Sequence, residues 1–378
     1  MPKEPVGIIG AGASGCIAAY YLLKEEFDVT LFDYSSPLRT ILPTGGGRCN
    51  FAHAEYDFKE LAKNYPRGEK FLYSVFSNFS TCDTLSLFDE LGIKYYSQDN
   101  GRFFPVSNDS KEVRTKILDK IKNSHFIKEN VDTVSKIEDG YKIKTNKSEY
   151  YFPQIIISTG GGLKSNTITG LKHKIIPYKP SLVGLKSATE QNLSGIVLKN
   201  VYNKDCKITD DLLFTHFGIS GPLTYTISSI KSREKFPYKL SFDLYPKELD
   251  IQSILNFHPH KDLKNILSII FPNRFAEYIS GEFSSKKACD VNGKIRDLML
   301  NRIHNFELEI TGTDKGEETV TSGGYDLDEI DSKTMESKLY PKLYIIGEAL
   351  DIDGFCGGFN LQNAWSTAFV AAKAITEN

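Results

Sequence analysis

The sequence predicts an α/β protein: a Rossmann-like dinucleotide-binding domain interrupted by an inserted β-rich domain that itself carries a small helical insertion. Three features predict it. The chain opens with GAGASG at Gly10 to Gly15, and GEALDIDGFCGGFNLQNA at Gly347 to Ala364 stands at its opposite end. From Pro177 the pattern changes to short alternating strands and then, after Pro246, to helical spacing. The expected boundaries are 1–170 with 318–378 for the discontinuous dinucleotide domain, 171–246 with 304–317 for the β-rich domain, and 247–303 for the helical insertion. A length of 378 residues exceeds one ordinary core, and 40% hydrophobic with 25% charged residues excludes a disordered chain.

Val6, Ile8 and Ile9 read as a short apolar strand running into Gly10, Gly12 and Gly15. In such a motif the first glycine permits the tight turn, the second lets a pyrophosphate approach the backbone, and the third lets the next helix pack close to the sheet. Ala13 and Ser14 start that helix, which continues through Ile17, Ala18, Tyr21 and Leu22 at helical spacing. A second strand, Asp28 to Phe32, ends in Asp33, a carboxylate placed to accept hydrogen bonds from adenosine ribose hydroxyls. This unit alone does not distinguish NAD from FAD. The next segment, PTGGGRCNFAH from Pro43, offers exposed amides at Gly45, Gly46 and Gly47, a cationic fork at Arg48, then Cys49 and Asn50. It lies where many flavoproteins pass the pyrophosphate and the isoalloxazine.

Phe58 to Leu91 reads as helical, and a second amphipathic helix runs through Val113, Ile117, Leu118 and Ile121. Tyr141 to Tyr151 alternates as a hairpin. It leads to a buried strand, Ile155 to Ile157, ending in Ser158, Thr159 and Gly160, which makes a third approach to the dinucleotide. No second glycine motif with a long helix follows, so a separate NAD-binding domain is not expected. Beyond Pro177, Ser181 to Leu185 and Tyr238 to Leu244 read as strands of the β-rich domain. Between them LLFTHFGISGP, Leu212 to Pro222, carries His216, a candidate proton donor. The helical insertion runs through Leu263, Ile266, Leu267 and Ile270, then Ile295, Leu298 and Met299; His258 and His260 flank Pro259 without a third ligand, so no metal site is signalled.

The closing segment reads as a strand, Leu343 to Ile346, then Gly347, Glu348 and a loop with Asp351 and Asp353. A helix begins near Asn360, with Leu361, Ala364, Trp365, Ala368, Phe369 and Ala372 on one face. Its positive end suits the N1 and O2 edge of a flavin, where reduction places negative charge, and Glu348 suits the ribityl chain. A nicotinamide enzyme has no need of this second cradle. The two ends together therefore indicate one FAD site.

Net charge is −2, against indiscriminate nucleic-acid coating, yet Leu163 to Leu240 holds 12 Lys or Arg against 5 Asp or Glu. That basic middle reads as a solvated face or as a docking surface for RNA. Six cysteines stand singly, without CxxC spacing, and are expected to be free thiols. With no run long enough to span a bilayer and no leader before the first strand, the expected location is cytoplasmic.

Four blocks then resemble the BaiN/YhiN-like bacterial flavoproteins, the family that includes aminoacetone oxidase. They are TGGGRCN at Thr44 to Asn50, GRFFPVS at Gly101 to Ser107, LLFTHFGISGP, and the long block from Thr321 to Trp365, in family order over nearly the whole chain. The resemblance implies FAD held between the two ends of one domain, with Val131, Thr159, Gly160, Gly347, Glu348, Gly358, Asn360 and Leu361 joining the N-terminal contacts. It also implies reduction of activated carbon–carbon double bonds, including a steroid of bile-acid type and a uracil base of ribosomal RNA, or amine oxidation. Three classes stay open: a reductase that takes electrons transiently from NADPH or NADH, with His216, Cys49 or water as proton donor; an amine oxidase; and a flavin-binding assembly protein without turnover. Two departures stand out. Where the family usually has a longer SYPxTGSTGDGY-like loop, this chain has LKSNTITGLKHKI from Leu163, and Cys356 replaces an expected small polar residue.

Overall fold

Four short apolar runs make the central sheet, and they come from both ends of the chain. Every residue of Val6–Ile9, Val29–Phe32, Gln154–Ile157 and Leu343–Ile345 is buried, as strands covered on both faces must be. They pair in parallel in the order Leu343–Ile345, Gln154–Ile157, Val6–Ile9, Val29–Phe32, with His125–Ile127 at the far edge. This computed structural model describes residues 3–162, 168–187, 193–314 and 320–377. The chain divides into two compact units, residues 1–179 with 320–378 and residues 180–319.

In the first unit the opening helix, Ala13–Lys24, and the closing helix, Phe359–Glu377, pack together, with Tyr21 and Phe369 edge to face at 5.0 Å between centroids. The closing helix starts at Phe359, one residue ahead of expectation. Trp365 is fully buried in it and donates its indole N–H to the Phe51 carbonyl at 3.0 Å. That burial contributes on the order of 3 kcal/mol and fixes the N-terminal segment to the C-terminal helix.

The stretch from Phe58 to Leu91 is not one helix but three: Phe58–Ala62, Glu69–Asn78 and Thr81–Glu90. Local chemistry sets the breaks. Asp57 caps the first, accepting from the Lys59 and Glu60 amides at 2.8 and 3.0 Å. Pro66 and Gly68 interrupt the chain before the second, and a reciprocal Ser80–Asp83 capping box opens the third. Two three-stranded sheets also belong to the unit, one of Ala52–His53, Tyr95–Ser97 and Arg102–Pro105, the other of Val131–Ile137, Gly140–Thr145 and Glu149–Phe152. Of the stretch from Leu163 to Ile175 that departs from the family loop, residues 163–167 lie outside the described residues.

The expected strand from Ser181 to Leu185 is instead a junction. Ile175–Ser181 pairs with Val320–Tyr325, and a new strand starts at Leu185 after Leu182 turns to φ 51°. The second unit is a closed barrel of six strands: Leu185–Ser187, Gly218–Ser220, Ile208–Phe214, Val197–Asn203, Tyr238–Asp243 and Phe306–Thr313. Helices between residues 251 and 304 share its core, where Leu240, Phe242 and Ile310 meet Phe275 and Met299.

A buried histidine in the first unit ties stability to pH. His173 lies between the Tyr325 and Tyr340 rings, and its Nε2 is 2.7 Å from Ser337 Oγ. Ser337 Oγ already accepts from the Leu339 and Tyr340 amides, so its own hydrogen points to Nε2. The proton of the neutral ring is then on Nδ1, which has no partner among the described residues. Burial holds this imidazole below its ordinary value of 6.5, with Glu329 pulling weakly the other way. The unfolded chain therefore takes the proton first, and stability falls as pH drops through about 6.5. Melting curves at pH 7.5 and 5.5 should show a smaller acid loss in His173→Gln than in the parent. An equal loss would remove His173 from the pH dependence.

Candidate functional site

Strand register gathers the candidate residues. Ile9 pairs with Phe32 and Ile157, and Ile157 with Ile345, so Gly10, Asp33, Ser158 and Ile346 all leave the sheet at the same carboxyl edge. In open parallel sheets that edge is where ligands bind. Ser158 locks two of the turns together, its hydroxyl reaching the Ile9 and Gly10 carbonyls at 3.0 and 2.7 Å.

The three motif glycines have different reasons to be glycine. Gly10 has φ 104°, and a Cβ there would stand 2.2 Å from the Ser158 carbonyl oxygen. A Cβ on Gly15 would stand 2.0 Å from the Gly10 carbonyl oxygen. Both positions are filled by the protein itself. At Gly12 the nearest atom to such a Cβ is Thr40 Oγ1, 3.9 Å away, and the residue is half-buried at the N-cap of the opening helix. The protein leaves that space open in front of the helix amides of Ala13, Ser14 and Gly15. A phosphate fits there.

Asp33 accepts from the Ala11 amide at 2.9 Å through Oδ2, and from the Ser35 amide and hydroxyl at 2.7 and 2.9 Å through Oδ1. A carboxylate has about four acceptor sites. Three are used, leaving one on Oδ2 for a ribose hydroxyl.

The glycine run Gly45 to Gly47 makes a tight turn, with Gly45 and Gly46 at φ 59° and 69° and nothing within 4 Å of a Cβ on Gly46. Arg48 folds back, its Nε donating to the Gly45 carbonyl at 3.1 Å and its guanidinium lying 4.2 Å over the Phe104 ring. Asn50 reaches the other end of the chain: its amide oxygen accepts from the Gly358 N–H at 3.1 Å, while its nitrogen donates to the Ala52 and Phe103 carbonyls.

At the C-terminal end, Gly347 donates to Thr367 Oγ1 at 3.0 Å, and Glu348 accepts from the Thr321 amide at 2.7 Å beside Gly160 and Gly161. Thr159 and Gly160 follow the Gln154–Ile157 strand to the same edge. Asp351 is buried and accepts from the Gly323 amide at 3.1 Å. Asn360 spends its side chain on its own loop, bonding the Gly354 N–H and carbonyl, both at 2.8 Å. Leu361 is half-buried on the first turn of the helix. Val131 is buried in a different sheet, and its register partner is Thr145 rather than any glycine-loop residue.

The two proton-donor candidates differ. Cys49 is fully buried at φ 63°, and burial pushes its thiol up to about 12, so it is a poor acid. His216 is exposed in the second unit. Sequence reasoning missed a third group. His53 stacks on Phe359 at 4.7 Å and its Nδ1 lies 3.2 Å from the Gly357 carbonyl, while Arg102, its direct strand partner, has Nη2 3.8 Å from the exposed Cys356 thiol. Burial and the Arg102 charge lower the His53 ring below 6.5. Both residues lie inside blocks the sequence already marked, His53 at the end of PTGGGRCNFAH and Arg102 in GRFFPVS, but no spacing within either block singles them out.

The residues present fit FAD. Gly12 and Gly46 leave room that no side chain fills, Asp33 keeps one acceptor, and the closing helix begins where the glycine loops meet.

A family model described as the HI0933-like protein Rossmann domain matches residues 4–374. A ribosomal RNA dihydrouridine synthase of Escherichia coli is 29% identical over 99% of this chain and 98% of its own length. One of Haemophilus influenzae is 32% identical over 98% of each. The 3-dehydro-bile acid delta(4,6)-reductase of Clostridium scindens is 25% identical over 98% of this chain and 99% of its own length. Among solved structures, the Mycobacterium smegmatis Sdh1 complex in the apo form aligns with a TM-score of 0.50 at 14% identity, covering 99% of this chain and 68% of that one, a likeness of fold alone.

Proposed function

Because this chain belongs to the HI0933-like Rossmann-domain family of FAD-dependent oxidoreductases, we propose that it reduces an activated carbon–carbon double bond, with a uracil base of ribosomal RNA as substrate. One observation carries the reading. Three relatives align end to end, and each of their names describes saturation of such a bond.

When bound, FAD supplies the hydride, replenished from NADPH or NADH. The chain's residues provide the setting. Gly12 and the first turn of the opening helix would seat the pyrophosphate, Asp33 would hold the ribose, and Gly45 to Asn50 would line the ring with the start of the closing helix. The adjacent carbon of the alkene also needs a proton, and the buried Cys49 thiol is a poor acid for that step. Exposed Lys199, Lys207 and Lys235 in the second unit suit an RNA backbone, whereas Lys231 and Lys239 are paired with Glu234 and Glu307 at 2.7 and 3.4 Å.

Anaerobic stopped-flow mixing tests the direction of the chemistry. Rapid bleaching of the bound FAD by NADPH or NADH, followed by reoxidation with a uracil-containing ribosomal RNA fragment, is expected. Bleaching by a primary amine instead would make the protein an oxidase. In cells lacking the chain, ribosomal RNA should lose a dihydrouridine, and an unchanged dihydrouridine content would sink the RNA substrate.

A further inference from the structure

We propose that Arg67 and Asp353 form a charge-neutral clasp on the loop 352–358, positioning the N-terminus of the closing helix and setting the reduction potential of the bound FAD. The inference rests on FAD occupying the cradle and is independent of which double bond is reduced.

Burial sets the pair apart. Arg67 Nε and Nη2 each lie 2.5 Å from a separate oxygen of Asp353, with side chains 11% and 0% exposed. Ion pairs such as Lys24–Glu90, 47% and 49% exposed, lie in solvent. Taking two charges out of water costs several kcal/mol per ion, so a buried pair commonly stabilises a fold no better than apolar residues of similar size. Its effect is to be found in position and in field.

Position comes from the neighbours, which form a splint running antiparallel to the loop. Gly68 faces Ile352 so closely that a Cβ would stand 2.8 Å from Ile352 Cγ1. Arg67 grips Asp353. The Tyr65 ring would stand 2.8 Å from a Cβ on Gly354, and its hydroxyl donates to the Phe359 carbonyl at 2.6 Å. The Asn64 carbonyl accepts from the Phe355 amide at 2.9 Å. Residues 64–68 thus read off residues 352–355 in reverse order, and Tyr65 reaches on to Phe359. The reciprocal Asn360–Gly354 bonds then join the clasped loop to the first helical turn.

Field follows from charge. Reduction places negative charge at the N1 and O2 edge of a flavin, which the positive end of the helix stabilises. An unpaired Asp353 in the loop leading into that helix would oppose it. Arg67 cancels this charge. Removing one partner or the other therefore leaves residual charges of opposite sign, and the two variants should move the potential in opposite directions.

The experiment is an anaerobic redox titration of the FAD-loaded full chain, alongside FAD dissociation constants, for Arg67→Met, Arg67→Lys, Asp353→Asn and the double variant Arg67→Met with Asp353→Asn. Flavin absorbance of the parent protein is read first, and its lack would refute the cofactor assignment rather than the clasp. Arg67→Met should shift the midpoint to more negative values and weaken FAD retention about tenfold. Asp353→Asn should shift it to more positive values. Arg67→Lys keeps the charge but loses the fork, so the potential should hold while retention weakens. The double variant should return towards the parent potential. Shifts of the same sign in the two single variants, or no shift in either, would reduce the pair to a packing strut. If Arg67→Met does not fold, Asp353→Asn decides: a positive shift supports the clasp, and an unchanged or negative one overturns it.

Discussion

Gly12→Ala should leave the FAD-free protein folded, with stability within about 1 kcal/mol of the parent, while FAD affinity falls at least roughly 100-fold. Gly15→Ala should fail to fold stably at all. The difference comes from where the added methyl group goes. At Gly12 the backbone is at φ −79° and ψ −163°, allowed to any residue, and the nearest protein atom is 3.9 Å away. An alanine there costs only the small loss of a good N-cap residue, yet it fills the space in front of the helix amides. At Gly15 the methyl would stand 2.0 Å from the Gly10 carbonyl and 2.6 Å from Ser158 Oγ, neither of which is the end of a flexible chain. Overpacking of that kind exceeds the usual range of about 1–3 kcal/mol because the sheet turn itself must move. Gly10→Ala adds an unfavourable φ of 104° to a 2.2 Å clash. Thermal melts with and without added FAD, together with flavin absorbance per protein, separate the cases. Full FAD occupancy in a folded Gly12→Ala protein would show that the open space is not the pyrophosphate seat.

The same contrast explains what the sequence made legible. Four strands of the central sheet stood out because burial on both faces demands apolar runs, as in Ile155 to Ile157, whereas the exposed edge strand His125–Ile127 carries no such run. Ser181 to Leu185 misled for the opposite reason. Leu182 at φ 51° breaks the strand, and a backbone reversal at a non-glycine residue leaves no mark in hydropathy. Glycine motifs announced their edge of the sheet, yet not which glycine serves the protein and which serves a ligand. That needed the surrounding atoms. Asn360 shows the same limit: it stands in the cofactor block, but its amide is consumed in closing the loop before the helix. Arg67 was invisible to motif reading, although Tyr-Pro-Arg-Gly at residues 65–68, breaking an otherwise helical stretch, was the available signal.

Asp33→Ala should weaken FAD binding by about 30- to 100-fold, and Asp33→Asn should recover little of it. The reason is that both carboxylate oxygens accept from backbone N–H groups, Oδ2 from Ala11 and Oδ1 from Ser35. An asparagine offers one accepting oxygen and one donating nitrogen, so whichever way it turns, an N–H meets an N–H. The Ala11 bond matters beyond the ribose, because Ala11 lies inside the glycine turn and its amide fixes the approach to Gly12. Loss of Asp33 therefore removes a ribose acceptor and loosens the phosphate seat together. With a single acceptor site left on Oδ2, only one of the two ribose hydroxyls can be bound by Asp33. FAD analogues lacking the 2′- or the 3′-hydroxyl of the adenosine ribose should accordingly differ, one binding like FAD and the other about tenfold more weakly in the parent protein. In Asp33→Ala the two analogues should bind alike. Equal losses for both analogues in the parent would mean that Asp33 shapes the turn without touching the ribose.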